Sequence, residues 1–477
     1  MTRALLLLVC LLAAGAAVPA PSMAQALSRL DAVKAALDAN PDVVRAREDI
    51  RALEGRITEV RADALPDVSF KLTGSRYRDP SFLNSSSFDD FPPELVESLV
   101  PIPTNLFDGS VELKQTIYSF KVGRALKVAK LARSLGDEES RRVRQQIALE
   151  AVRAYNALLQ AMEYVRVNDG SLRQKEEHLA SVRNRREAGV ATELEVLRSE
   201  VDAENQRAQV TRAQGRVDLA RATLNAVMLR PIDAPVAPTD TLETIGPLPA
   251  SLEQALNDAI GTRPEVLSAK LNEQVREQVV GVEKAERLPI FDFTGNYGYA
   301  VREPENFFTN RFSKWTVAIT ATVPIFDGGR AKGRVVQALA EQAKATQDRL
   351  AAENQVRLQT ADAFDRLAVA GRLLKAADLN IQQARRALEM TQANYKLGAA
   401  MLLDVTDAQA ALTEAERVRV DALYEQADAR ATLRYAMGLA PIDGLPAAPA
   451  TAPAPAPGVP PASGVPAASA ISLHQHP

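Results

Sequence analysis

The sequence predicts a mixed α+β membrane chain of two homologous halves, each a strand pair continued by a long helical hairpin. Three observations carry that prediction. First, the chain is written twice: Pro41 and Pro66 return as Pro264 and Pro289, both offset by 223 residues. Further on, Leu158, Val165, Leu172 and Leu179 return as Leu367, Leu374, Ile381 and Leu388, and Gly189 as Gly398, all at offset 209. A repeat this long sets the architecture before any local motif is read. Second, 17 of the 23 aromatic residues crowd into 65–120 and 288–326, as in the girdles of outer-membrane strands. Third, residues 121–187 hold no proline and only three glycines, enough for a helix about 100 Å long. Such a helix has to pack along other long helices as a coiled coil.

Residues 1–24 read as a signal peptide: Arg3, an apolar run from Ala4 to Ala17, and Ser22-Met23-Ala24 before Gln25. Cys10 is the only cysteine and lies within it; Val9 stands where a lipidation signal needs a small residue. Export without disulfides suits a Gram-negative periplasm or outer membrane. Loss of Arg3 takes the formal charge from −3 to about −4, which argues against nucleic acid as a partner.

The first repeat spans 25–230. A helix over 27–62, interrupted near Asn40-Pro41, ends at Pro66. A strand pair occupies about 66–120, with Val68, Phe70 and Leu72 alternating against Ser69, Lys71 and Thr73. A loop over about 79–106 leads to Val111, Leu113 and Ile117, and a helical hairpin over 121–228 turns at Gly189. Residues 231–250 form a Pro/Ala-rich linker. The second repeat, 251–440, has its strand pair at about 289–326 and its hairpin at 329–437. From 441 to 477 the chain is Ala/Pro-rich and expected to be disordered.

Four strands cannot close on themselves, and an open sheet edge in lipid costs several kcal/mol for each unpaired backbone group. Oligomerisation is therefore expected. A homotrimer gives a 12-stranded transmembrane β-barrel, with the hairpins continuing it as an α-helical coiled-coil tunnel.

At this point the chain resembles the TolC-like outer-membrane efflux proteins across essentially its whole mature length. The resemblance rests on the two Pro-acidic helix starts, the Leu-Pro exits into strands, and Ile325-Phe326-Asp327-Gly328-Gly329-Arg330 at a strand-to-helix turn. Tyr395-Lys396-Leu397-Gly398 followed by Leu403-Asp404-Val405-Thr406-Asp407 is similar to the second periplasmic tip of that family. The resemblance implies a trimeric exit duct in the outer membrane with a large periplasmic extension. Its implied partners are a periplasmic adaptor and an inner-membrane transporter of the RND, ABC or MFS type. Drug efflux, metal-ion efflux and type I secretion stay open.

The resemblance also assigns residues. Asp404 and Asp407 match the acidic rings of the closed tunnel mouth; the first half carries Glu195 and Arg198 there, so this pair is not duplicated. Tyr395 matches a residue that holds the mouth shut by hydrogen bonding to an acidic neighbour, here Glu195. An arginine of that closing network falls on Ala400, which leaves Arg185 or Arg186 as replacements. Gly189, Val190 and Leu194, with Leu397, Gly398 and Leu403, are the expected adaptor-docking tips. The competing reading is a periplasmic coiled-coil adaptor. No enzyme is expected, and no cofactor or metal: His178 lies in a charged helical stretch, His474 and His476 in the tail.

Overall fold

The computed structural model describes residues 25–84, 91–242, 249–442 and 444. The signal peptide expected over 1–24 and most of the tail expected from 441 lie outside them. The first half comprises β1 (Gln25–Leu27), α1 (Arg29–Ala39), α2 (Pro41–Ala62), β2 (Asp67–Tyr77), α3 (Pro93–Ser98), β3 (Thr104–Ser119), α4 (Phe120–Glu187) and α5 (Glu193–Val227). The second comprises β4 (Val236–Pro238), α6 (Leu252–Thr262), α7 (Pro264–Ala285), β5 (Ile290–Val301), β6 (Ser313–Thr322), α8 (Arg330–Lys396) and α9 (Leu402–Ala436).

Each half enters through two helices divided at a proline. Asn40 ends α1, and its side chain accepts the Asp42 N–H at 2.8 Å to cap α2. Pro41 and Pro264 occupy the first helical turn, where a missing N–H costs nothing. The stretch expected as loop over 79–106 contains the short α3, started by Pro93.

β2, β3, β5 and β6 form one antiparallel sheet in that order, so the two hairpins join through β3 and β5. The register sorts the side chains by face. Phe70, Val111, Tyr297 and Trp315 form one row across all four strands, and Val68, Leu113, Gly295 and Val317 the next. The other face carries Ser69, Glu112, Asn296 and Thr316, then Lys71, Ser110, Gly298 and Lys314. That polar face is paired within itself: Lys71 with Glu112, Lys314 with Asp108, and Thr116 donating to Asp292 at 2.8 Å. The apolar face is bare, with Phe70 68% and Trp315 72% exposed. Apolar outside and polar inside is the pattern of a lipid-embedded barrel wall around a wet lumen. Among the described residues, neither edge strand, β2 or β6, has a further partner strand.

α4 has 68 residues and α8 has 67, each returning through a 35-residue helix. On α8 the most buried positions include Ala331, Ala338 and Ala345, then Val356, Ala363, Ala370 and Ala377, then Leu388 and Tyr395. These run in steps of seven broken by two of eleven. The four-residue insertions offset the drift of a straight helix against a seven-residue repeat. Leu367, Leu374 and Ile381 of the expected seam lie half-buried, four positions beyond Ala363, Ala370 and Ala377. Small side chains at the contact let the helices approach closely.

The two halves differ in one respect. α7 packs against both α4 and α8, whereas its repeat counterpart α2 packs mainly against α4 and leaves most of its surface exposed. β1 and β4 form a short parallel pair with no sequence signal, tying residues 25–27 to the linker. The buried Tyr155 hydroxyl holds it, donating to the Leu27 carbonyl at 2.8 Å and accepting from Thr239 N–H at 3.2 Å.

Candidate functional site at the hairpin tips

Both hairpins turn on a glycine in the left-handed region, Gly189 at φ +74° and Gly398 at φ +76°. A side chain there is strained, while glycine closes the helix ends: Val190 N–H reaches the Arg185 carbonyl, and Ala399 N–H the Asn394 carbonyl, both at 2.9 Å. The returning helices are capped alike. Glu195 accepts the Thr192 N–H at 2.7 Å, and Asp404 accepts the Met401 N–H at 2.7 Å. The sequence sets Asp404 against Glu195 as a broken symmetry; in the structure the two carboxylates do the same work, each closing the first turn of its helix. Asp407 is exposed and takes no part in this cap.

Between the tips, Val182, Val196, Tyr395, Leu402 and Val405 form a buried cluster that joins the hairpins, with Leu179, Ala191 and Ala400 against it. Ala400 thus contributes apolar packing where the resemblance calls for an arginine. Arg185 supplies the cation instead, its guanidinium 4.5 Å from the centre of the Tyr395 ring. Arg186 pairs with Glu193 at 2.6 Å across the turn.

The expected hydrogen bond from Tyr395 to Glu195 is not formed. The Tyr395 hydroxyl is buried without a partner, because Glu195 is committed to its cap. Burial pushes the Tyr395 hydroxyl up from 10.0, with Arg185 opposing the rise and Glu195 adding to it.

Sequence reasoning missed His178, which lies half-buried with its ring centre 5.9 Å from that of Tyr395 and its Nε2 without a partner. The available signal was spacing: His178 and Arg185 are seven apart, on the contact face of α4. Burial pushes His178 below its ordinary 6.5, with Asp202 opposing that shift and Arg185 reinforcing it. The unfolded chain therefore binds the extra proton between the depressed folded value and 6.5. The stability carried by this group is complete above 6.5 and is lost as the pH falls through that window. Acidification from about pH 7.5 to 5.5 is expected to lower the amide protection factors at 174–185 and 388–396, after correction for the intrinsic exchange rate, with His178→Phe removing most of that loss of protection. Equal pH dependence in His178→Phe would refute the assignment.

Val190, Leu194, Leu397 and Leu403 are exposed around the turns, Leu397 at 82%. The tips thus present bare apolar knobs beside charged helix faces.

An open four-stranded sheet, apolar outside and polar inside, continued by two helical hairpins, defines a membrane channel subunit. The chain belongs to the outer membrane efflux protein family, whose model matches residues 32–228 and 255–439. It is 27% identical over 391 residues to outer membrane protein OprJ of Pseudomonas aeruginosa, covering 79% of this chain and 77% of OprJ. It is 23% identical over 332 residues to the alkaline protease secretion protein AprF of the same organism, covering 69% of each. A crystal structure of a Pseudomonas aeruginosa membrane protein superposes with a TM-score of 0.74 at 23% identity, covering 86% of this chain and 90% of that one. The α+β fold is that of these outer-membrane channels, a β-barrel wall with a helical tunnel, and the chain is an outer-membrane channel protein. The adaptor reading is set aside.

Proposed function

We propose that three copies of the chain close a 12-stranded barrel and a helical tunnel, forming a passive exit duct. The observation that carries this is the pair of open edges on a sheet with one lipid-compatible face. β6 of one copy meets β2 of the next in antiparallel sense, since the strand directions alternate along the order β2-β3-β5-β6. The free flank of α2 supports the same closure: it takes α8 of the neighbouring copy as α7 takes α4, the repeat counterpart of α8, within the chain.

In this reading the apolar knobs at Val190, Leu194, Leu397 and Leu403 receive a periplasmic adaptor, and Gly189 and Gly398 shape the turns that present them. The adaptor couples the duct to an inner-membrane transporter of the RND, ABC or MFS type. The duct does no chemistry of its own. The efflux family and its relative AprF, a protease secretion protein, leave efflux and protein secretion both open as its task.

Asp404 and Asp407, one helical turn apart, place six carboxylates around the axis of a trimer and favour cations at the mouth. Glu195 and Tyr395 hold the frame of that mouth rather than its charge. Asp404 has a cap to lose, so Asp404→Ala is expected to cost about 1 kcal/mol locally whatever its effect on ions. Asp407→Asn isolates the charge. In planar bilayers under a salt gradient it is expected to move the reversal potential toward zero, and an unmoved potential would leave Asp407 an ordinary solvated residue.

A further inference from the structure

Far from the tips, the start of α1, α4, the linker and the end of α9 meet around a half-open cavity of about 370 Å³. Its walls include Arg29, Asn156, Asp240, Arg430 and Arg434, with three arginines against one carboxylate. Arg29 is fixed from behind. It donates to the Thr241 carbonyl at 2.9 Å, its guanidinium lies 5.7 Å from the centre of the Tyr155 ring, and its Nε is buried with no hydrogen-bond partner among the described residues. The Asp240 carboxylate accepts the Arg29 backbone N–H at 2.5 Å, so its charge is directed at the backbone.

Asn156 is the second observation. It is 1% exposed, lines the cavity, and its Oδ1 has no partner among the described residues. A buried amide oxygen left in that state is destabilising unless something enters to meet it. A half-turn about its last torsion presents the N–H₂ in place of the oxygen, so the amide can donate as well as accept. Val152, Ala427, Ala431 and Ile442 add an apolar surface to the lining.

We propose that this cavity binds a small organic carboxylate. Arg29 and the Asn156 amide take the carboxylate oxygens, and Val152, Ala431 and Ile442 take a short hydrocarbon body. A planar carboxylate matches the guanidinium fork, whereas an inorganic oxyanion leaves the apolar wall wet. Because the walls come from four remote parts of the chain, occupancy clamps the start of α1, α4, the linker and the end of α9 together.

The test uses the assembled, detergent-solubilised protein, with sodium hexanoate, sodium acetate and sodium chloride compared at equal ionic strength. Hexanoate is expected to raise the unfolding temperature saturably, at a concentration at least tenfold below that needed for acetate, with no such effect from chloride. Arg29→Gln is expected to weaken hexanoate at least tenfold, and Asn156→Leu, which fills the cavity, to abolish its effect. If either variant fails to assemble, amide exchange in the wild-type protein decides: hexanoate should protect 25–30, 240–242 and 440–442. No saturable effect of hexanoate, an unchanged effect in Arg29→Gln, protection elsewhere or none, or a hexanoate-soaked structure showing only ordered water in the cavity would each overturn the proposal.

Discussion

Gly298→Ala is expected to part β3 from β5 and to prevent assembly of the barrel. A Cβ at Gly298 meets the Gly109 carbonyl oxygen at 2.3 Å and the Ser110 Cα at 2.6 Å. These are backbone atoms of the paired strand and cannot swing aside, so the strands must separate. The place is critical, because β3–β5 pairing joins the two halves of the sheet. In lipid the freed N–H and C=O groups find no water, and we expect a cost of about 3 kcal/mol or more. The control is internal: at Gly295 a Cβ meets its nearest neighbour, Phe293, at an ordinary 3.6 Å. Urea unfolding in detergent micelles should show Gly295→Ala within about 0.5 kcal/mol of wild type and Gly298→Ala far below it. Equal stability of the two variants would show that the strands can slide enough to admit a methyl group.

The contrast between Gly298 and Gly295 marks what the sequence could convey. Both read as strand glycines, and only the register tells which of them is crossed closely by a neighbour. The strands were legible because alternation is a local signal: Val68, Phe70 and Leu72 announce an apolar face without any partner. The long helices were legible for the same reason, through their seven-residue spacing. What stayed hidden depends on contacts between remote segments. β1 and β4 are three residues each and include Pro238, so nothing local marks their pairing. The tips were partly legible. Gly189 and Gly398 announced the turns, but Asp404 and Glu195 read as charges when their first task is to cap helices. His178 sat in a stretch rich in charge and read as solvated, although its neighbour Tyr395 lies more than two hundred residues on.

Arg263 was the most deceptive residue of all, and the second large effect is expected there. By offset 223 it replaces Asn40, and an arginine beside Pro264 and Glu265 reads as a solvated helix start. In the structure it is 3% exposed. Its guanidinium pairs with Glu265 at 2.7 Å and donates to the Gln359 side chain at 2.9 Å and to the Tyr435 carbonyl at 3.1 Å. It also lies 4.5 Å from the centre of the Tyr435 ring. The carbonyls at the end of α9 are its target. They have no intrahelical donors, and a cation at that end also meets the negative pole of the helix. Thr360 donates to the Ala436 carbonyl at 3.2 Å and Gln145 to the Gly438 carbonyl at 2.7 Å, so α4, α7 and α8 converge on one helix terminus. Gly438, at φ +71°, lets the chain turn there, and a Cβ on it would strike the backbone of Thr262 at 2.8 Å. Arg263→Ala removes the charge and leaves the Tyr435 carbonyl with the Gly438 N–H alone, at 2.9 Å. Because Glu265 keeps 29% of its side chain exposed and can be rehydrated, we expect a loss near the lower end for a broken buried pair, about 3 kcal/mol. Glu265→Gln, which leaves the other contacts in place, should cost about 1 kcal/mol. Unfolding of the two variants in urea separates a clasp on α9 from a simple ion pair. Equal losses would make the Glu265 contact the whole of it, while the larger loss for Arg263→Ala is the signature of a helix end held by a buried cation.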